Sequence, residues 1–290
     1  MTPPDALPRM RPLRDWPAAQ RARIAGVLTD IDDTLTTDGD ITPDALRALA
    51  DLRAAGLPVI AVTGRPVGWS EDFAATWPLD AVVAENGAVA LVPRPGSAGI
   101  STHEDTGMPA PGLRSALSKR YLQDPAARAS NFARMQGVLR RIVREVPGAA
   151  PSRDSPGRET DIAIDHSEFA HLPTAAVDRV VAIMRSEGMR ATVSSIHVNG
   201  WYGDHDKRVG AAWIVRELLG RDLDAETDRW AYVGDSTNDE RMFAAFPGTS
   251  VGVANIARFA PRLARLPGYL AQGERGAGFA EVARALLAAR

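Results

Sequence analysis

The 290-residue chain contains no cysteine. Disulfides and thiolate metal ligation are therefore excluded, and a structural zinc site is not expected. No apolar stretch reaches the 18 residues that a membrane-spanning helix needs, and residues 1–23 carry no apolar signal-peptide core. These absences point to a soluble, cytoplasmic protein. Strong charge is missing too: the net charge is −2, so no surface for nucleic acid or another polyanion is implied. Lysine is nearly absent. The chain has 34 basic residues, and all but Lys119 and Lys207 are arginine. A sequence that writes its surface cations as arginine keeps lysine where a compact ammonium is needed, because the two are not interchangeable. Lys207 is the more informative of the pair.

What is present fits a globular α/β protein. At 45% hydrophobic residues, the chain can bury the core of one large or two modest domains. Its organising stretch is Thr29-Asp30-Ile31-Asp32-Asp33-Thr34, directly after an apolar run at 24–28. Such a run ending in acids reads as a buried parallel strand entering a loop. Residues two apart in an extended chain point to the same side, so Asp30 and Asp32 project together beyond the strand's carboxyl end. Asp-rich turns also form simply because these side chains bond their own backbone. Two carboxylates this close, however, repel unless a cation lies between them or one stays protonated.

The downstream pattern supports a parallel sheet. A hairpin-like excursion at 35–41 turns at Asp38-Gly39, and Thr42-Pro43-Asp44 caps a helix that Gly56 ends. Strands follow at 57–62 and 81–84, with a helix around 69–76 between them, giving a right-handed βαβ series. Residues 93–108 and 147–157 read as turn-rich loops. Between them, helices are expected at 112–122 and 130–146. Residues 160–165 alternate polar and apolar, as in a sheet with one wet face. A helix at 173–187 and strands at 190–194 and 196–201 complete an α+β insert. The parallel pattern resumes with a helix at 207–219, a strand at 230–233, another at 249–253 and a helix at 279–289. The expected organisation is an N-terminal extension (1–22), flexible or docked on the surface, a core from 23–93 and 204–290, and a cap at 94–203.

In a parallel sheet all strand carboxyl ends share one edge, so their loops meet in one crevice. Asp30 and Asp32, Thr63, and Asp235 with Asp239 come from three such loops, and Lys207 opens a helix. A cation in a helix's first turn opposes the macrodipole, and such local violations concentrate at functional sites. Clustered carboxylates without imidazole or thiolate suit Mg²⁺. Mg²⁺, a lysine and a hydroxyl are the parts that hold and neutralise a phosphoryl group.

These residues resemble the haloacid dehalogenase superfamily of phosphotransferases, subclass IIB, with the larger C2-type cap. The matching pieces are DIDDT at 30–34, VTGRP at 62–66, DK at 206–207 and GDSTND at 234–239. The resemblance spans residue 24 to the C-terminus and implies a Rossmann-like parallel core with an inserted α+β cap. It implies Asp30 as nucleophile and Asp32 as general acid/base, with Thr63, Gly64, Lys207 and Asn238 on the phosphoryl group. Asp30, Asp32 through its backbone carbonyl, Asp235 and Asp239 would hold Mg²⁺. Asp33 stands where many relatives have Gly or Asn.

The cap and the Glu85-Asn86-Gly87 loop look most like the sugar-phosphate members of that subclass, such as the sucrose- and trehalose-phosphate phosphatases and the phosphomannomutases. Substrate contacts are expected from Arg65, Glu85, Asn86, Arg158, Ser195 and His197, with Asp161 and Asn199 as further cap candidates. Ser195, His197 and Asn199 would share one strand face. Trp201 and Tyr202 are better placed for packing under the cap than for stacking on a sugar. The reading is a Mg²⁺-dependent phosphatase for a small phosphorylated substrate. The alternatives are a phosphohexomutase using the same aspartyl-phosphate and a receiver-like phosphoacceptor. The DxD order and the long insert count against the receiver.

Overall fold

The computed structural model describes residues 10–94 and 115–290. Its centre is a nine-stranded sheet in the order Arg11–Pro12, Tyr269–Leu270, Ser250–Gly252, Trp230–Gly234, Gly26–Thr29, Val59–Val62, Ala81–Ala84, Val89–Pro93, Leu117–Tyr121. The first seven strands are parallel, and the last two turn back antiparallel. Neighbouring core strands run in near-flush register, with Thr29 opposite both Val233 and Ala61. Their carboxyl ends therefore lie along one edge.

The α/β class follows from strand periodicity. Val27, Val59, Val82 and Val233 face one layer, where they pack against Leu46, Leu49 and Leu52 of helix Pro43–Ala54 and Phe279 and Val282 of helix Arg275–Leu287. Leu28, Ile60, Val83 and Tyr232 face the other layer, with Ile214 and Val215 of helix Lys207–Leu219 and Phe243 of helix Glu240–Ala245. Burial on both faces explains why these strands read as continuous apolar runs. Thr42 caps its helix by accepting from Ala45 N, and Gly220 ends Lys207–Leu219 with a left-handed φ of 62°.

Two expectations change, and one alternative is decided. Leu117–Tyr121, expected within a helix at 112–122, is the outermost strand of the large sheet. Apolar residues at 113, 117 and 121 imitate helical spacing, but pairing with Val89–Pro93 decides the outcome. The large sheet thus reaches into the stretch assigned to the cap. Residues 10–22 are docked: Arg11–Pro12 adds a strand beside Tyr269–Leu270, and Trp16 is buried and stacked on Tyr269 at 5.2 Å. Residues 1–9 of the expected extension, and most of the loop expected at 93–108, lie outside the described residues. Finally, Ile162–Asp165 has no wet face, since all four residues are buried.

A four-stranded antiparallel sheet, ordered Arg190–Val193, His197–Trp201, Ile162–Asp165, Ala150–Pro151, forms the insert. Helices Pro125–Glu145 and Thr174–Ser186 supply Met135, Ile142, Val180 and Met184 to its own apolar core.

His205, at the return from insert to core, carries a testable consequence. It is 3% exposed, stacks on Trp201, and its Nε2 has no partner. Burial pulls its pKa down to about 4. Its folded-state pKa is depressed, so the unfolded chain binds a proton below the ordinary value of about 6.5 that the folded protein refuses until about 4. Stability is expected to fall by about 1.4 kcal/mol per pH unit across that window, roughly 3 kcal/mol in all. Urea unfolding of wild type and His205→Phe should give a stability difference that shifts in the variant's favour between pH 7 and pH 5. A pH-independent difference would contradict the assignment.

Candidate active site

The edge at the strand ends gathers most of the sequence-derived residues. Asp30 follows strand Gly26–Thr29, and its backbone N donates to Val233 O of the neighbouring strand. Its Oδ1 accepts from Ile31 N at 2.8 Å and pairs with Lys207 Nζ at 2.9 Å. Among the described residues nothing donates to its Oδ2. Lys207, the first residue of its helix, is buried and reaches Asp239 Oδ1 at 2.7 Å as well. The two acids hold its ammonium above its ordinary pKa despite burial. The rare lysine therefore sits between two carboxylates.

Helix placement depends on a close approach. Gly210, one turn into the Lys207 helix, lies against Gly87, whose φ is +107°. A Cβ on Gly210 would overlap the Gly87 backbone. Gly210→Ala is expected to push the helix and its lysine away from Asp30, costing about 1–3 kcal/mol of stability. Denaturant unfolding checks this, and an unchanged midpoint would contradict it.

Asp235 and Asp239 divide their labour. Asp239 Oδ2 accepts from Asp235 N and Ser236 N, at 2.9 and 3.1 Å, and its Oδ1 accepts from Tyr232 Oη in addition to Lys207. Both of its oxygens are committed to shaping the loop. Asp235 Oδ2 accepts from Asn255 Nδ2 at 3.2 Å, whereas its Oδ1 is buried without a partner. Oxygens of Asp30, Asp235 and Asp239 lie within 4.8 Å of one another. Burial lifts Asp30 to about 7, with Asp239 and Asp32 adding to the effect and Lys207 opposing it. Burial and the neighbouring Asp239 and Asp30 raise Asp235 as well. An excess of buried negative charge, an orphaned carboxylate oxygen and an all-oxygen donor set fit a hard divalent cation such as Mg²⁺.

Asp32 is oriented differently. Its two oxygens both face Arg65 Nε, at 2.9 and 3.1 Å. Arg65 is itself buried and extends to Glu168 and Asp154 of the insert, at 3.0 and 3.4 Å. The expected substrate contact at Arg65 is thus an ion pair bridging core and insert. Thr63 is buried one residue past the strand register, and its Oγ1 accepts from Arg65 N. Gly64 O accepts from Arg158 and from Asn199, at 3.0 and 3.2 Å. Asn238 Oδ1 accepts from Ser236 Oγ, and the residue lines a cavity shared with Lys207.

Several residues expected to touch substrate instead hold the insert to the core. Glu85 is fully buried and accepts from Val67 N, Glu159 N, Thr160 N and Thr160 Oγ1. Burial raises its pKa against those donors and Arg158. Arg158 is buried on Asp161 at 2.8 Å and Asp154 at 3.2 Å, so its guanidinium is already held by two carboxylates of the insert. Asp161 also accepts from Asn86 and Asn199, and burial lifts it to about 7 against Arg158. His197 is buried and pairs with Glu168 at 2.8 Å. Ser195 precedes strand His197–Trp201 rather than sharing its face, and it lines a second cavity beside Asp32 and Asp33. Trp201 packs in the insert's core and donates to His205 O.

Two contributors carry no sequence signal. Asn255 Nδ2 binds Asp235 Oδ2 and the Asp33 carbonyl, and its Oδ1 accepts from Arg275 N at 2.9 Å. Arg275 pairs with the Asp33 carboxylate at 3.0 Å. Asp33 has a φ of +54°, a region Gly, Asn and Asp tolerate best. The extra acid in the first loop thus meets its backbone demand and has its own counter-ion.

A family model of haloacid dehalogenase-like hydrolases matches residues 27–102. No curated protein matches the chain. Among solved structures, the Thermoplasma acidophilum protein 0175 is 16% identical with a TM-score of 0.63, covering 91% of this chain and 98% of its own. The sucrose-phosphatase of Synechocystis, solved with sucrose and phosphate, is 14% identical with a TM-score of 0.58, covering 91% and 98%. The subclass IIB sugar phosphatase BT4131 is 14% identical with a TM-score of 0.52, covering 85% and 92%. The resemblance carried by the motifs is borne out: residues 27–102 match the haloacid dehalogenase-like hydrolases, and the chain shares its fold with these solved structures, a subclass IIB sugar phosphatase among them.

Proposed function

We propose that the protein is a Mg²⁺-dependent phosphatase of a small phosphorylated substrate, such as a sugar phosphate, acting through an aspartyl-phosphate on Asp30. The observation that carries this reading is the Asp30–Lys207 pair at 2.9 Å beside the orphaned oxygen of Asp235. Asp30, Asp235 and the Asp32 carbonyl would hold Mg²⁺. When bound, the ion neutralises charge on the phosphoryl oxygens. Asp239 acts on Lys207 and the loop.

The chain's own groups account for two displacements. An Asp30 carboxylate oxygen forms a bond to phosphorus as the bond to the leaving oxygen breaks, and that oxygen takes a proton from Asp32. Water then attacks the aspartyl phosphorus and gives its proton to Asp32. This regenerates the Asp30 carboxylate and frees inorganic phosphate. Lys207 screens charge throughout, and Thr63 and Asn238 orient the phosphoryl group. Asp32 can serve only once Arg65 yields its oxygens, and Glu168 and Asp154 offer that guanidinium somewhere to stay. Acceleration up to ~10²¹ is what monoester hydrolysis requires of an enzyme, which explains investment in a buried, preorganised site.

The insert, built on the four-stranded sheet and its two helices, is the cap over the leaving group, and the enzyme is assigned to the cytoplasm. Among the described residues, no helix is long and apolar enough to cross a membrane. The test is phosphate release from a panel of hexose and disaccharide phosphates, with Mg²⁺ and with EDTA. Release that needs Mg²⁺ supports the reading. Isomerisation without net phosphate, dependent on a bisphosphate activator, would replace it with the mutase.

A further inference from the structure

A cavity of about 510 Å³ lined by Lys207 and Asn238 extends from them to the insert strand Arg190–Val193 and the end of helix Thr174–Ser186. Its volume exceeds what a phosphate needs and falls within the range of small-molecule sites. Arginine dominates its wall. Arg190 and Arg241 lean on acids: Arg190 on Asp204 at 3.0 Å, Arg241 on Asp206 at 2.6 Å. Arg185 of the insert and Arg262 of the core line the same space, and neither has a carboxylate partner among the described residues. The acids on the wall are Asp206, spent on Arg241 and on capping the Lys207 helix, and Glu240, which accepts from Arg265 N. Thr192 Oγ1, also on the wall, is buried with no hydrogen-bond partner.

A neutral sugar would leave those guanidinium groups without an anionic partner on the cavity wall. We infer that the leaving group carries its own anionic substituent, a carboxylate or a second phosphoryl, received by Arg185 and Arg262 with Arg190 beside them while Lys207 and Asn238 hold the reacting phosphoryl. Thr192 Oγ1 supplies a hydroxyl partner between the two ends. This rests on the phosphatase reading and narrows it to phosphorylated acids or bisphosphates. Planar guanidinium forks suit both anions, and a charge-assisted pair discriminates by about tenfold or more.

The test compares kcat/KM for glucose 6-phosphate, 6-phosphogluconate and glucose 1,6-bisphosphate, from phosphate released by the full chain with Mg²⁺. At least one anionic ester should be preferred by about tenfold or more, and which one assigns the carboxylate or the second phosphoryl. The double variant Arg185→Gln/Arg262→Gln should bring that ratio to within about threefold of unity, as should high salt. Both side chains are exposed, so the variant is expected to fold, and a ratio is insensitive to lost enzyme. Equal kcat/KM for the three esters, a preference for the neutral one, or a preference untouched by the double variant would each overturn the inference and leave the phosphatase reading standing. No release from these esters or from p-nitrophenyl phosphate would remove both.

Discussion

Asp30→Asn is expected to lower phosphate release by at least ~10⁴-fold, the scale seen when a covalent nucleophile is removed, without lowering thermal stability. The amide keeps an oxygen for Ile31 N but cannot form the phosphoryl ester. The stability half follows from linkage. Asp30 has a folded pKa of about 7 against an ordinary 3.8. The folded protein therefore retains a proton that the unfolded chain releases, and wild-type stability falls as pH rises through that window. The variant lacks this ionisable group. In EDTA at pH 8 its melting temperature should equal or exceed that of wild type, and Mg²⁺ should stabilise wild type more than the variant. A variant that retains wild-type turnover would refute Asp30 as nucleophile. One that melts well below wild type would show that the carboxylate supports the fold.

Glu85→Ala should be the most destabilising single change at the junction of core and insert. It removes the acceptor from the buried backbone amides of Val67 and Thr160, from the half-buried amide of Glu159, and from one hydroxyl. An unsatisfied buried donor costs about 1–3 kcal/mol. Water entering the gap recovers part of this, leaving a net loss of roughly 3–5 kcal/mol. Glu85→Gln keeps one oxygen and should lose less. Chemical denaturation of both variants measures this, and a Glu85→Ala protein within about 0.5 kcal/mol of wild type would show that the strap is dispensable. Activity should suffer too, because Glu85 fixes the insert, which under the proposed function closes over the site.

The contrast between Asp30 and Glu85 shows what the sequence makes legible. Asp30, Thr63, Lys207 and Asp235 were readable because the sheet forces strand ends onto one edge, so local pattern implies spatial convergence. Glu85, Arg158, Asp161 and His197 were recognisable as unusual polar residues but not as partners of one another. A string gives no distance between Glu85 and Thr160, or between Arg158 and Gly64, so a polar group facing the other domain looks like one facing a ligand. Arg65 belongs to the VTGR segment, yet its three acidic partners lie at 32, 154 and 168. Asn255 and Arg275 stand in loops without periodicity or motif, and only the fold brings them to Asp235 and Asp33. The spacing of Leu117–Tyr121 suits either element, and the tertiary pairing with Val89–Pro93 chooses the strand.

The central claim is that the phosphoryl group passes through Asp30, and the direct measurement is mass spectrometry of acid-quenched enzyme during turnover with Mg²⁺ and a hydrolysed ester. Asp32→Asn, which lacks the base that takes the proton of the attacking water, should be run in parallel on p-nitrophenyl phosphate, whose leaving group needs no proton, to accumulate the intermediate. The peptide containing Asp30 should carry one phosphoryl group, lost on treatment with hydroxylamine and absent in Asp30→Asn. A phosphoryl group on any other residue, or phosphate release with Asp30 never modified in either protein, would contradict the account.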